Sequence, residues 1–178
     1  MDALISDILK YSKTRFLEMR KREMDLSEIA RLVIDELHER ELQRELECKI
    51  TPLLTVLAEP IFICTVLENL LGNAGRYSSK IRSAYIEFGE MPGQTGVFYV
   101  KDIGAGFRMA HADKVFQPYQ LAHDGTEFSG TGMGLASVPN IIELHGGRIW
   151  AEAEVDKGAT FFSTPFAGTN SSARRRRV

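Results

Sequence analysis

Apolar and polar positions repeat with two different periods along this chain, and the periods predict a mixture of helices and strands. Spacing of three and four residues predicts four helices, and alternating or continuous apolar runs predict six strands. The predicted helices are residues 1–23, 26–45, 60–76 and 135–144. The predicted strands are residues 47–51, 54–58, 84–88, 96–101, 148–155 and 160–164. This order favours an α+β fold, a two-layer sandwich in which an antiparallel-rich sheet carries helices on one face.

Capping and breaking residues support several of these boundaries. Asp25 followed by Glu28 fits a capping box and predicts a helix starting at Leu26. Pro60 suits the first position of the next helix. Gly146 predicts a left-handed cap after the last helix. Pro139 lies inside that helix, where a proline should remove a hydrogen bond and kink the element unless it falls near the first turn.

Two stretches between these elements allow less regular structure. Pro52 separates the two short strands of residues 47–58, which predicts either a hairpin or two edge strands. Residues 156–158 read as a hairpin turn. Residues 107–129 lack any sustained period, and so long a loop in a small domain predicts a mobile lid over a binding site.

Three separated polar signals point to that binding site. Asn69 and Asn73 lie four apart in the helix of residues 60–76 and therefore share one face. Asp102 ends an apolar strand and is followed by two glycines, which allow a sharp turn and a close approach to a ligand. Residues 130–135 form a glycine-rich run that opens a helix, where unpaired N–H groups favour a phosphate. Together the signals predict a nucleotide pocket.

In the order and spacing of these signals, the chain resembles the ATP-binding domain of sensor histidine kinases of the bacteriophytochrome type, in the wider family of gyrase, Hsp90 and MutL ATPases. The resemblance extends from about residue 4 to 166 and is most specific over residues 130–162, which include ELHGGRIWAE and KGATF. It implies a Bergerat-type ATP-binding fold with a mixed sheet. It also implies three parts: residues 1–23, the second helix of a dimerisation hairpin; residues 24–166, the ATP-binding domain; and residues 167–178, a disordered tail.

The resemblance implies ATP and Mg²⁺ as cofactors and assigns the base-binding positions. Asp102 would accept a hydrogen bond from the adenine amino group, and it is also the carboxylate best placed for this by its position at a strand end. Gly104 and Gly106 would shape the same wall, and Tyr77 would pack near the base or ribose. The other nucleotide-binding positions implied are Gly130, Thr131, Gly132, Gly134, Leu135 and Thr160.

The helix of residues 60–76 would carry the chemistry. The resemblance makes Asn73 the magnesium ligand, through its hard amide oxygen. Asn69 stands where the ATPases of the wider family carry a general-base glutamate, which favours phosphoryl transfer over hydrolysis. Glu68 could polarise an acceptor or simply be solvated. Arg76 replaces the lysine usual in the family, which keeps the charge but not the shape.

The phosphate acceptor of such kinases is a histidine, and none of the four here fits that role. His38 lacks the motif that surrounds an acceptor, His111 and His123 fall in the predicted lid, and His145 suits a helix C-terminus. The acceptor helix would therefore precede this chain. The partners implied are this acceptor helix, a response-regulator receiver domain and a second copy in a homodimer of the full-length kinase.

Composition limits the number of domains, the binding partners and the cellular compartment that we expect. A chain of 178 residues with 44% hydrophobic content suits one domain with a helical lead-in, and a net charge of −2 gives no general attraction to nucleic acid. The arginines at 174–177 read as a solvated end. Cys48 and Cys64 have no metal-type spacing and read as buried free thiols in a reducing cytoplasm. No apolar run is long enough to cross a membrane.

Three functions remain open from the sequence. The first is a protein-histidine kinase that transfers the γ-phosphoryl of Mg-ATP to a histidine outside this chain. The second is a nucleotide-binding signalling module without transfer, favoured by Arg76, by Pro139 and by Leu121, which stands where related lids carry an arginine. The third is an ATP hydrolase or clamp, which Asn69 disfavours.

Overall fold

The computed structural model describes residues 20–40, 45–118 and 134–164, which form a sheet with helices on one face. The helices are α1 (Leu26–Arg40), α2 (Pro60–Tyr77) and α3 (Gly134–Leu144). The strands are β1 (Arg22–Asp25), β2 (Glu45–Ile50), β3 (Thr55–Ala58), β4 (Ser83–Glu90), β5 (Phe98–Asp102), β6 (Ile149–Glu154) and β7 (Gly158–Ser163). Two short 3-10 turns, Met109–His111 and Lys114–Phe116, follow β5. The predicted α+β sandwich is confirmed.

Five strands make the main sheet, in the order β2-β4-β5-β7-β6. Only the β2–β4 pair is parallel among the pairs of the described sheet, and the others are antiparallel. Pleating sends Val100 and Asp102 of β5 to the helix face and Lys101 to the opposite, exposed face. The core lies between the helices and this inner face. Its fully or almost fully buried members include Leu26, Ile34, Leu71, Ile86, Val100, Val138, Ile141 and Ile142.

The predicted ends of two helices are wrong. The first helix is predicted to end at residue 23, but Arg22–Asp25 is a strand that pairs antiparallel with β3. Residues 1–19 of that predicted helix lie outside the described part. The second was to run to about residue 45, but Glu45 begins β2. In both places backbone pairing with a distant strand overrides the local helical spacing. The paired ladders could not be read from spacing alone.

Of the two readings of residues 47–58, the edge-strand reading is confirmed and the hairpin is wrong. β2 forms the outer edge of the main sheet beside β4, whereas β3 pairs with β1 in a separate two-stranded sheet. Ser27, which is fully buried, holds the turn between them: its Oγ donates to the Thr51 carbonyl at 2.7 Å and accepts from the Leu54 N–H at 3.0 Å.

The caps are confirmed. Asp25 Oδ1 accepts from the N–H groups of Ser27 and Glu28, at 2.8 and 3.0 Å, and so starts α1. Gly146 ends α3 with a φ of +85°. Pro139 lies inside α3, and the helix continues past it to Leu144.

The turn that Ser27 holds contains a strained residue. Leu53 has a φ of +59° and a relative exposure of 82%. The left-handed conformation costs a side chain with a Cβ roughly 1 to 2 kcal/mol, and so exposed a leucine gains little from burial. We therefore expect Leu53→Asn to raise the free energy of unfolding by about 0.5 to 1 kcal/mol, because asparagine adopts this conformation more readily. Chemical denaturation measures the change.

Leu57→Asn is the control for that substitution. Leu57 is also exposed, at 41%, but it lies in the extended backbone of β3, where asparagine is disfavoured. Leu57→Asn should therefore leave the free energy of unfolding unchanged or lower it. Equal effects of the two substitutions would contradict the assignment of strain to Leu53.

Candidate functional site

The C-terminal end of α2 meets the loop that follows β5. The carbonyl oxygen of Tyr77 accepts a hydrogen bond from the Ala105 N–H at 3.0 Å. Gly104 passes this carbonyl so closely that a Cβ at residue 104 would lie 2.5 Å from it. A residue larger than glycine therefore does not fit, and this contact brings two of the three polar signals together.

Asp102 is the buried charge of this region. Only 3% of the residue is exposed, and its carboxylate accepts from the backbone N–H of Gly104 at 2.7 Å and from that of Ala159. Burial raises the pKa of Asp102 from 3.8 to about 6, and the two N–H donors oppose that rise only in part. Above pH 6 the buried carboxylate thus costs the fold about 3 kcal/mol. A buried acid kept charged at such a cost is a candidate for ligand binding.

Asn73 lies on the same end of α2 and is also buried, at 6% exposure. The amide oxygen of Asn73, Oδ1, faces the guanidinium of Arg76, whose Nη1 lies 3.4 Å away. The contact is long for a hydrogen bond and places a guanidinium beside the oxygen. The amide oxygen of Asn73, a hard ligand atom, therefore lies next to a positive charge.

Asn69 brings α3 into the site. Its Nδ2 donates to the carbonyl of Thr65, one turn earlier in α2, at 2.8 Å. This bond leaves Oδ1 directed at Gly134, where a Cβ would lie 2.6 Å from the oxygen. Gly134 is the first residue of α3 and the first described residue of the glycine-rich run. All three polar signals therefore converge, although residues 130–133 lie outside the described part.

One position on α2 was missed by the sequence reasoning. Gly72 falls near Asn69 and Arg76 on the helix surface, and a Cβ at residue 72 would meet no atom of the described residues within 4 Å. Among the described residues, none therefore covers this point on the face of α2 that carries the polar groups. The signal that could have indicated this position is a glycine inside a helix, where alanine is normally preferred.

The remaining predicted positions fall in different surroundings. Tyr77 is partly buried, and burial raises the pKa of its phenol. Gly106 has a φ of +58° and packs against the β6–β7 hairpin. Leu135 is buried in the core, and Glu68 is exposed on α2. Thr160 pairs with the exposed Lys101, on the sheet face opposite to Asp102, which disfavours its predicted part in nucleotide binding.

Among the described histidines, two are exposed and one is buried. His38 lies on the surface of α1 with Nε2 2.9 Å from the Leu46 carbonyl, and His111 is exposed in a 3-10 turn. His145 follows α3 as predicted, but only 1% of it is exposed. His123 lies outside the described residues. Neither Cys48 nor Cys64 is in a disulfide, and both are half-buried rather than buried.

The described part of the chain contains neither a membrane span nor a cluster of metal-binding side chains. None of the helices in this part of the chain is both long and apolar enough to cross a membrane. In the same residues, His, Cys, Asp and Glu side chains form no group of three or more that could hold a metal ion.

Known proteins are similar to this chain in both sequence and fold. Residues 58–167 match the family described as histidine kinase-, DNA gyrase B- and HSP90-like ATPase. Cyanobacterial phytochrome B from a Nostoc species is 33% identical over 168 residues, which cover 92% of this chain and 22% of that protein. The adaptive-response sensory kinase SasA from a Synechococcus species is 30% identical over 169 residues, 92% of this chain and 45% of that one.

Solved structures give the same result. Full-length ShkA in complex with AMPPNP matches with a TM-score of 0.73 and 25% identity, over 92% of this chain and 35% of that chain. The nucleotide-free catalytic domain of the histidine kinase ThkA matches with a TM-score of 0.64 and 26% identity, over 83% of this chain and 99% of that one. The chain therefore belongs to the family of histidine kinase-, DNA gyrase B- and HSP90-like ATPases, and it has the fold of the ATP-binding catalytic domain of a sensor histidine kinase.

Proposed function

We propose that this chain binds ATP with Mg²⁺ and donates the γ-phosphoryl group to a histidine outside the chain, as the catalytic part of a two-component sensor kinase. The observation that carries the proposal is Asp102, a buried carboxylate at a strand end whose pKa is raised by burial. The ATP-binding fold of the family supports it. Because the chain spans only 22% to 45% of the two curated relatives, the activity of the whole protein remains part of the proposal.

Asp102 would recognise the base. A carboxylate accepts hydrogen bonds but does not donate them, so it pairs with the amino group of adenine and not with the carbonyl that guanine carries at the same place. Gly104 donates its N–H to this carboxylate and packs closely on the carbonyl of Tyr77, at the adjoining end of α2. ATP should therefore bind much better than GTP.

Asn73 would hold the magnesium ion. Mg²⁺ commonly keeps several waters and takes only one or two protein ligands together with phosphate oxygens, so a single amide oxygen fits this ion better than a full protein cage. When bound, the ion would neutralise charge that develops on the phosphates. The chain's own part is to present Asn73 Oδ1. For that, the Arg76 guanidinium must move away from the oxygen, and it is then free to approach a phosphate.

Asn69 supports transfer over hydrolysis. Its Nδ2 is committed to the Thr65 carbonyl, and a carboxamide cannot take a proton from water as a carboxylate can. A gyrase-like hydrolase is thus disfavoured. A signalling module without transfer remains the second candidate, because Arg76 lies against the oxygen that magnesium would need. Glu68, which is exposed on α2, would polarise an incoming acceptor.

The proposal includes partners and a division of the chain. Because Arg22 and Glu23 pair with β3, the catalytic domain would begin at β1 and extend to residue 166. The residues before β1 would belong to the dimerisation hairpin, and residues 167–178 would form a disordered tail. The acceptor histidine would lie on a helix of the full-length protein, which would act as a homodimer and pass the phosphoryl group to a response-regulator receiver domain. We propose no binding to nucleic acid.

Thermal denaturation with and without Mg-ATP tests the pocket. A ligand at 100 times its dissociation constant should add about 2.7 kcal/mol to the free energy of unfolding. GTP at the same concentration serves as the control and should add much less. Folded protein that shows no shift at millimolar ATP would contradict the pocket.

Transfer of the phosphoryl group to a histidine needs a separate measurement. Labelled Mg-ATP should phosphorylate an upstream acceptor helix supplied in trans or fused to this chain, and it should not label the chain alone, because none of the described histidines lies on a presented acceptor helix. Nucleotide binding without labelling of the acceptor would favour the signalling module. Steady phosphate release would favour the hydrolase.

Gly134→Ala tests the closeness of α3 to Asn69. The added Cβ would turn the Asn69 carboxamide away from its present orientation, so ATP affinity should fall by roughly five- to tenfold, the effect of losing about one hydrogen bond. Stability should change little, because alanine favours a helix. Isothermal titration and chemical denaturation measure the two effects, and unchanged affinity would contradict the role of this contact.

A further inference from the structure

His145 joins the far ends of the two helices that build the site. Its Nδ1 lies 2.7 Å from the Ile141 carbonyl, which can only accept, so Nδ1 carries the proton. Its Nε2 lies 3.2 Å from the backbone nitrogen of Glu59, which can only donate, so Nε2 accepts. The two partners therefore define one neutral tautomer. Burial lowers the pKa of this imidazole and keeps it neutral.

The two bonds differ in what they connect. Ile141 belongs to α3 itself, four residues before His145, so the Nδ1 bond only caps the helix to which the histidine is attached. Glu59 is the N-cap of α2, whose side chain accepts from the Phe62 N–H at 3.0 Å. The Nε2 bond thus crosses from the end of α3 to the start of α2. The ring of Phe62 also meets the imidazole edge-on, with centroids 6.0 Å apart.

The same pair of helices touches a second time inside the site. Gly134 starts α3 beside Asn69, and His145 follows its end beside Glu59. Ten residues separate the two contacts on α2 and eleven on α3, which at 1.5 Å per residue is about 15 Å and about 16.5 Å. The helices are therefore antiparallel, and the two contacts lie at matching heights along them.

We infer that His145 is a positioning residue for nucleotide binding: by accepting from the Glu59 N–H, it fixes the axial register of α3 on α2 and so holds Gly134 against Asn69. Apolar packing between helices is not directional, and a slide of a few tenths of an ångström costs it little. A hydrogen bond is directional and short, so it resists such a slide. The inference deepens the proposed function, because the residues it positions belong to the proposed nucleotide pocket.

Substituting His145 by glutamine or by asparagine, two neutral amides, tests its two hydrogen bonds one at a time. Glutamine can place an oxygen near the position of Nε2 and keep the bond to Glu59. Asparagine can place an N–H near the position of Nδ1 and keep only the cap on Ile141. Both substitutions remove the ring and its contact with Phe62, so they form a matched pair.

We expect His145→Gln to bind Mg-ATP within about twofold of the original affinity, and His145→Asn to bind it about three- to tenfold more weakly. Isothermal titration measures the affinities. The side-chain amide resonance of Asn69 should shift in the asparagine variant and stay in place in the glutamine variant. Equal behaviour of the two variants, or a larger loss in the glutamine variant, would overturn the inference.

The same bond can be removed from the other side. Glu59→Pro deletes the N–H donor, and the φ of −79° at Glu59 suits proline. Glu59→Ala keeps the N–H, and both variants lose the side-chain cap of α2. Proline should weaken Mg-ATP binding about three- to tenfold relative to alanine, and equal affinities would overturn the inference even where a His145 variant fails to fold. If the unaltered chain binds no ATP, the proposed function fails instead, and the Asn69 resonance still tests the register.

Discussion

Asparagine in place of Asp102 should make the nucleotide-free chain more stable and, at the same time, weaken its binding of ATP. The carboxylate is 3% exposed, and burial raises its pKa from 3.8 to about 6. That rise corresponds to about 3 kcal/mol of stability lost above pH 6. Asparagine carries no charge and escapes this cost, but its amide has one acceptor oxygen for the N–H groups of Gly104 and Ala159. We therefore expect a net gain of about 1 to 2 kcal/mol.

The pH dependence identifies the cause of that gain. Because the pKa is raised on folding, the folded protein binds more protons than the unfolded chain between pH 3.8 and 6, and Asp102 lowers stability as pH rises through this window. The difference in unfolding free energy between the variant and the original chain should thus grow from pH 4 to pH 7 and stay level above pH 7. His145 titrates in both proteins, so its contribution cancels. A difference that is independent of pH would contradict the assignment.

The loss of binding free energy should be of the same size as the gain in stability or larger. An amide N–H₂ directed at the adenine amino group leaves two donors facing each other, which costs roughly 1 to 3 kcal/mol, or about 5- to 150-fold in the dissociation constant for ATP. Isothermal titration at pH 7.5 measures it. Full ATP affinity in the asparagine variant would contradict the proposed role of Asp102 in reading the base.

The polar positions of the site were predictable because each depends on a local pattern. Two carboxamides four apart must share a helix face, and a carboxylate after an apolar strand must lie at its end. The same logic found the caps at Asp25 and Gly146. Patterns of this kind fix where a side chain stands on its own element. The fold then brings Asn69, Asn73 and Asp102 together.

What the sequence did not predict depends on contacts between distant segments. The parallel pairing of β2 with β4 and the short strand β1 leave no local signature, since the four residues of β1 are mostly polar. The Ala159 N–H that donates to Asp102 belongs to the backbone, which any residue carries. Thr160 was assigned from the family pattern alone, and only the register opposite Lys101 shows which face it occupies.

Gly106→Ala should be the most damaging single substitution proposed, although alanine adds only one carbon. Two causes act at this glycine. Its φ of +58° disfavours any residue with a Cβ, which costs roughly 1 to 2 kcal/mol. In addition, a Cβ would overlap the backbone carbonyl of Glu154 in the β6–β7 hairpin, and backbone cannot move aside as the tip of a side chain can. We expect a total loss of about 3 to 5 kcal/mol in the free energy of unfolding.

Gly93→Ala separates the two causes. Gly93 also has a positive φ, +77°, but a Cβ there would meet no atom of the described residues within 4 Å, so only the conformational cost of about 1 kcal/mol applies. The loop of Gly106 also carries Ala105, whose carbonyl accepts from the Asp156 N–H at 2.7 Å, so forcing the hairpin away should loosen the wall beside Asp102. Where the Gly106 variant still folds, its ATP affinity should fall, while that of the Gly93 variant stays unchanged. Similar losses of stability at both glycines, measured by chemical denaturation, would show that the hairpin does not press on residue 106.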